Sequence, residues 1–413
     1  MISAKLFFRG SIAAAVIAAI PIATPARAAV LAPGCMCPAG FPVPTGPNTC
    51  ANTFNVKSPA ICSAINTGVG HLAASAQQLS FTSVQTILQL RRDQLQGNLG
   101  QTSQTRSMIT GYAPSEFDDA PSTALSYAPR SDPLMPFVTK APPAPASSGP
   151  SWAAWTQGVG NWERDDPLSA IDVGRFITTA AVQGGVDATW QHLAAANDAL
   201  VVGVVGSWTG ARIGYDVFNT SANLAGPGIG IYSTYIRGGF SVDLTPKVDF
   251  LGLTENFGPP LPSSSTNVTN AGVSGNAQYK INLPLNAFVE PTGGFMFTRT
   301  LFGANAITLG LEDASTLRLQ GGARWGMAWT VNGVSVEPAL STLIYSNVIA
   351  SNTTNAAAVP AIVPTDQGLV RGELDPSVSL DFGNGYSAAV AGGVRFGLGL
   401  VAGAVSVNLR KQW

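Results

Sequence analysis

The chain has 413 residues, of which 11% are charged, and its 22 basic and 23 acidic side chains leave a formal net charge of −1. Soluble globular proteins carry about 25% charged residues, so this chain is depleted in the groups that keep a surface in water. Near-neutral balance excludes nucleic acid as a main partner, since no basic face is available, and two histidines leave little for histidine catalysis or metal binding.

The N-terminus carries an address. Lys5 and Arg9 mark a short basic region, Ile12 to Ile22 form an apolar core, and Ala26-Arg27-Ala28 offers a small-x-small cleavage site. Residues 1–28 therefore read as a secretory signal peptide, too short and wrongly flanked for a membrane anchor. No later stretch offers about 18 apolar residues free of Gly, Pro and charge, so helical membrane spans are not expected. What remains for an exported chain is a soluble periplasmic or secreted protein, or a β-barrel.

Residues 29–62 are rich in Pro, Gly and Cys, and contain all four cysteines, Cys35, Cys37, Cys50 and Cys62. In an oxidising compartment an even, close-spaced set predicts two disulfides, with three connectivities open. Zinc is the rival reading, but the spacing lacks the paired CxxC of a zinc site. Residues 63–112 read as helical, with Leu72, Leu79, Val84, Ile87, Leu88 and Leu95 recurring at helical spacing. Gln77, Gln78, Gln85, Arg91, Arg92 and Asp93 form the polar side. The expectation is an ordinary amphipathic helix packed by one face, in preference to a dedicated plug. Residues 113–150 shift to Pro, Ser and Ala and end in KAPPAPASSGP, an extended semi-rigid linker.

From Trp152 onward the period changes to 2. In LRLQGGARWGMAWTV, Leu317, Leu319, Trp325, Met327 and Trp329 alternate with polar positions that include Arg318 and Arg324. In 369–382, Val370, Leu374, Val378 and Phe382 oppose Arg371, Glu373, Asp375 and Asp381. In 228–243, Tyr232, Ile236, Phe240 and Val242 are read against Tyr235, Arg237, Ser241 and Asp243. Runs of this length exceed the mean strand of about 5–6 residues and suit a tilted membrane strand of about 9–11. Twelve strands are expected, near 152–162, 175–190, 199–213, 228–243, 246–257, 271–283, 286–301, 314–331, 333–349, 369–382, 384–397 and 400–413.

Connection lengths separate a barrel from a sandwich. Leu244-Thr245-Pro246, Pro284-Leu285, Asn332-Gly333 and Gly383-Asn384-Gly385 are short, whereas WERDDPLSAIDVG, YDVFNTSANLAGP, FGPPLPSSSTNVTN and 346–368 are long and polar. Short periplasmic turns alternating with long surface loops are the pattern of an outer-membrane barrel. The connections near 191–198 and Gly399 depart from it. The last strand places Val401, Val405, Val407, Leu409 and the terminal Trp413 on one face, the apolar-aromatic ending expected to be read by the barrel-assembly machinery.

These segments resemble the autotransporter β-domain family over about residues 151–413. WTQGVGNW (155–162) is similar to its opening strand, TTAAVQGGVDATW (178–190) to its second, VVGVVGSW and GIGIYSTYIRGGFSVD to its third and fourth, and FVEPTGGFMFTRT to a later strand built around Glu290-Pro291. The resemblance implies a 12-stranded barrel with a helix in its pore. Three features depart from the family pattern. Lys411 stands third from the end, where such barrels carry an aromatic or apolar residue. A Pro-rich linker separates the helical segment from the first strand. The region ahead of the barrel lacks the repeats of a β-helical passenger.

No catalytic constellation is expected. Gly206-Ser207-Trp208-Thr209-Gly210 is one residue short of a nucleophile elbow and lies in a strand-like run. Glu163, Asp165, Asp166 and Asp172 lack calcium-loop spacing and read as a solvated surface loop. An Arg or Lys facing lipid at midplane costs about 2–4 kcal/mol, so alternation should turn charges inward. Arg237, Glu290, Arg318, Arg324, Glu337, Asp375, Asp381, Arg395 and Arg410 are the expected lumen-facing set.

The combined expectation is an all-β fold, a 12-stranded antiparallel transmembrane β-barrel with a short helical and loop-rich N-terminal region. It would reside as a monomer in the outer membrane of a Gram-negative bacterium, surrounded by outer-membrane lipid, with its own N-terminal segment in the pore and without cofactor or metal. Its function would be to translocate or anchor that N-terminal region. The alternatives are a passive pore for small solutes and a soluble secreted β-sandwich adhesin.

Overall fold

The computed structural model describes residues 59–109, 149–168, 172–195, 197–216, 220–256, 263–351, 353–354 and 365–413. The expected signal peptide, Cys35, Cys37, Cys50 and residues 110–148 of the linker region lie outside the described residues. Cys62 is placed only as part of a helical backbone, so the disulfide expectation also lies outside.

One helix, α1 (Pro59–Ile109), precedes twelve long strands: β1 (Ser151–Asp165), β2 (Arg175–Gln191), β3 (Asp198–Tyr215), β4 (Ser221–Arg237), β5 (Phe240–Asn256), β6 (Ser264–Tyr279), β7 (Ala287–Phe302), β8 (Ala314–Met327), β9 (Val334–Ala350), β10 (Val370–Gly383), β11 (Tyr386–Gly397) and β12 (Leu400–Gln412). Two short pieces, Ile281–Asn282 and Trp329–Val331, add to the rim. Each long strand pairs antiparallel with its chain neighbours. β1 also pairs with β12, from Ala153 opposite Gln412 to Asp165 opposite Leu400. The sheet thus closes and leaves no long edge unpaired, which is how a β-structure satisfies its backbone in lipid. Among the described residues no helix is long and apolar enough to cross a membrane; the strands have the length to do so.

The alternation read in the sequence sets the two faces. Leu319, Trp325, Val370, Val378, Phe382, Val390, Val401, Val405, Val407 and Leu409 are exposed on the outer surface, while Arg318, Arg324, Arg371, Glu373, Ser406, Asn408 and Arg410 are buried inside. Ser151, Gln412 and the turns after β2, β4, β6, β8 and β10 share one rim. Two of its tightest turns use left-handed backbone: Asn332-Gly333 (φ 51 and 82) and Asn384-Gly385 (φ 51 and 78), the geometry that twisted hairpins require.

Three expected boundaries shift. The loops read at 215–227 and 257–270 are shorter, because β4 begins at Ser221 and β6 at Ser264. Leu244-Thr245-Pro246 is not a turn: β5 runs straight through it, with Pro246 opposite Val273. The turn lies at Gly238-Gly239, where Arg237 and Phe240 face each other across the hairpin. That shift corrects one site residue. In a two-residue hairpin the flanking pair shares a face, so odd positions of β4 continue as even positions of β5. Arg237 is therefore exposed with Phe240, and Tyr232, Thr234 and Ile236 point inward with Ser241 and Asp243. Reading one uninterrupted strand across this turn put Arg237 in the lumen and Tyr232 outside.

Candidate functional site

The interior of the barrel is occupied by α1. At the long-loop end the Asn66 amide donates to Leu309 O (3.3 Å) and Gly310 O (3.0 Å), and the Tyr215 hydroxyl donates to Ile65 O (2.8 Å). At the short-turn end the Gln96 amide reaches Gly238 O and Gly239 O at 3.3 Å, and Arg91 contacts Gln412. The helix therefore threads the lumen from the long loops at residue 65 to the short turns at residue 96, about 46 Å at 1.5 Å per residue. Gly68 and Gly70 make the close approach at the outer end workable. A Cβ on Gly68 would meet the Tyr215 ring at 2.5 Å, and one on Gly70 would meet the Thr353 methyl at 2.6 Å.

Helical periodicity divides α1 into two stripes, and the barrel wall is divided to match. Ile65, Val69, Leu72 and Ala76 pack against Ile177, Ile213, Leu224, Leu251, Leu253 and Val268. Further down, Val84, Ile87, Leu88 and Leu95 pack against Trp155, Val201, Val205, Tyr232 and Ile236. The wall beneath the apolar stripe is thus β1 to β6, where apolar residues sit among buried polar ones such as Gln157, Gln183 and Asp243. The opposite stripe, His71, Ala74, Gln78, Thr82, Gln85 and Gln89, is half-buried and faces polar cavities along β8 to β11. The amphipathic pattern was legible, but its polar side looks into the lumen, which makes this helix a pore-filling element in place of the ordinary packed helix expected.

Buried charge fixes the inner end of the helix. Arg92 forms an ion pair with Asp243 of β5. Asp93 holds Arg324 of β8 at 3.1 Å, and Arg324 also reaches Glu290 (2.9 Å) and Glu337 (2.6 Å). Lys280 completes this group at 3.5 Å from Asp93 and 3.8 Å from Glu337. Arg91 donates to Thr189 Oγ1 at 2.7 Å. Three consecutive residues, Arg91, Arg92 and Asp93, thereby bind three different sectors of the wall. Arg410 belongs to a separate chain in which the Trp155 indole donates to the Tyr232 hydroxyl (2.7 Å), Tyr232 donates to Asp187 (3.0 Å), and Arg410 pairs with Asp187 (2.8 Å).

The other sequence-selected residues fall as follows. Arg318 is buried, ion-paired with Glu373, and lies 3.6 Å from the centre of the Tyr345 ring. Arg395 pairs with Glu163 at 3.0 Å. Asp381 accepts from the Gln94 amide at 3.3 Å, and Asp375 lines the inner cavity. Trp413 is exposed at the rim, its backbone bonded both ways to Trp152 at 3.0 and 3.2 Å. Lys411 lies 3.6 Å from the centre of the Tyr386 ring with its amine on Asn384 O. The acidic loop reading needs correction. Glu163 and Asp165 are buried at the strand end, and Arg175 pairs with Asp165 (3.1 Å) and Asp172 (3.5 Å), while Asp166 stays exposed. Missed in the sequence were Asp187, Lys247 and Asp249. The last two form a buried ion pair on β5, just beyond the segment taken for a turn.

The sequence matches the family described as the autotransporter beta-domain over residues 154–400. Among solved structures, the β domain of the Bordetella autotransporter BrkA superposes with a TM-score of 0.52 at 17% identity, covering 64% of this chain and 100% of that one. The translocator domain of NalP from Neisseria meningitidis gives 0.47 at 11% identity (65% and 90% covered), and the transport unit of AIDA-I from Escherichia coli gives 0.46 at 10% (68% and 94%). No curated protein matches significantly. With a closed twelve-stranded barrel, a helix threaded through it and a family match over most of the barrel, this chain belongs to the autotransporter β-domain family.

Proposed function

We propose that the chain is an outer-membrane translocator that carries its own N-terminal region through the barrel and leaves it tethered at the cell surface. The direction of α1 supports this reading. Residue 65 lies among the long loops and residue 96 among the short turns, and short turns belong to the periplasmic side of such barrels. The chain before residue 59 would then emerge outside. Lipid covers the apolar outer face, the last strand is the segment presented to the barrel-assembly machinery, and one chain closes the barrel, so a monomer suffices. In this reading the polar lumen groups hold the helix and perform no catalysis.

An epitope placed between residues 29 and 58 tests it. Proteolysis of intact cells is expected to remove the epitope while the barrel survives. Cleavage that appears only after the outer membrane is permeabilised would overturn surface placement.

A further inference from the structure

We infer that the plugged barrel retains a hydrated side passage for water and small monovalent ions, running between the polar stripe of α1 and the wall formed by β8 to β12, with the Arg318–Glu373 ion pair as its constriction. The inference rests on the division of the lumen and is independent of where the N-terminal region ends up.

Two cavities lie along this side. The inner one, about 170 Å³, is bounded by Thr82, Gln85 and Gln89 of the helix and by Ser341, Ser377 and Ser379 of the wall. The outer one, about 70 Å³, is bounded by His71, Gln78, Tyr345 and Arg395. One water needs roughly 10–15 Å³ of such space, so both have room for several. Arg318 lines both cavities, and its partner Glu373 lines the inner one. Much of this wall is small, with Ser341, Ser377, Ser379, Ala391, Gly392 and Ser406 leaving room beside the helix, unlike the branched and aromatic residues under the apolar stripe. The Gln320 side-chain carbonyl, which lines the inner cavity, has no hydrogen-bond partner in the protein. Such groups are satisfied by water or cost stability. Acids and bases alternate near the constriction, Arg318 and Arg395 against Glu373 and Asp375, so the passage should discriminate weakly between cations and anions.

Full-length protein in planar bilayers tests this, with the triple variant Arg91→Ala, Arg92→Ala and Asp93→Ala, which removes the clamp at the inner end of the helix, as a helix-loosened reference. The wild type is expected to show a small, steady, ohmic conductance. Arg318→Ser and Glu373→Ser should each raise it several-fold while staying below the reference. Ser379→Trp, which fills the passage from the wall side, should abolish it; Ser406→Leu serves the same end if that variant does not fold. Folding is checked by heat-modifiable gel migration. Three results would overturn the inference: a wild type no more conductive than the bare bilayer, conductance only in steps the size of the reference, or a steady conductance that the filling variants leave unchanged. Failure of surface display in the protease assay would leave this readout unaffected.

Discussion

Asp93 of α1 meets Arg324 of β8 at 3.1 Å, and that guanidinium is the point where the helix, β7 and β9 are joined through Asp93, Glu290 and Glu337. Removing Arg324 leaves three carboxylates beside a single remaining cation, Lys280. Stripping one partner from a buried ion cluster costs about 3–5 kcal/mol. Asp93→Asn removes one charge but keeps a hydrogen-bonding side chain, and is expected to cost about 1–2 kcal/mol. Arg324→Ala should therefore lower the melting temperature of the heat-modifiable barrel more than Asp93→Asn. Equal shifts would mean that Arg324 is not the hub of the cluster.

Tyr232 stands between two strand sectors through its hydroxyl, accepting from Trp155 and donating to Asp187, which also holds Arg410. Tyr232→Phe keeps the ring against the helix but leaves the indole N–H without its acceptor and Asp187 with one donor fewer. A buried polar group left unsatisfied costs about 1–3 kcal/mol. The variant should assemble, melt lower by a corresponding amount, and show a changed near-UV signal from Trp155. Unchanged thermal stability would show that water replaces the hydroxyl at no cost.

Val405 and Ser379 test the two faces of the wall. Val405 is exposed among the outward-facing Val401, Val407 and Leu409, whereas Ser379 lines the inner cavity. Val405→Arg is expected to cost about 2–4 kcal/mol if it lies near midplane. It should reduce the fraction of folded barrel recovered from lipid vesicles. Ser379→Lys places the same charge in water and should fold at close to the wild-type yield. A reversed order would invert the assigned faces.

Most of the barrel was legible because its outer face is apolar along most of each strand. β8, β10 and β12 show it over ten or more residues, and their inward Arg318, Arg324, Glu373 and Arg410 follow from it. The lumen obeys no single rule. Where the apolar stripe of α1 packs, part of the inner wall is also apolar, so Tyr232 and Ile236 look like outward-facing residues to any reading by hydrophobicity alone. Gly238-Gly239 concealed the change of parity, and Pro246 within β5 advertised a turn that does not exist. The family resemblance implied a helix in the pore, but the periodicity of α1 alone did not place it there, because an amphipathic helix packed inside a barrel carries the same pattern as one lying on a soluble core. The clamp at Arg91, Arg92 and Asp93 depends on that location, and was hidden with it.

Gly203 of β3 stands opposite Tyr232 of β4, and the phenol ring lies flat over the space where a Cβ would project. The same arrangement recurs where the Trp155 ring covers Gly185 on β2. Glycine weakens a strand interior by itself, so its presence here is offset by the aromatic ring that fills the gap. Gly203→Val would push the Tyr232 ring toward the helix and break the Trp155–Tyr232–Asp187 chain at its centre. Overpacking of this kind costs about 1–3 kcal/mol, to which the lost hydrogen bonds add. The variant should therefore be less stable than Tyr232→Phe. In the double variant Gly203→Val with Tyr232→Ala the added methyls occupy the vacated space, so part of the stability should return. If the double variant is no more stable than Tyr232→Ala alone, the pairing of these two residues across the hairpin does not carry the effect.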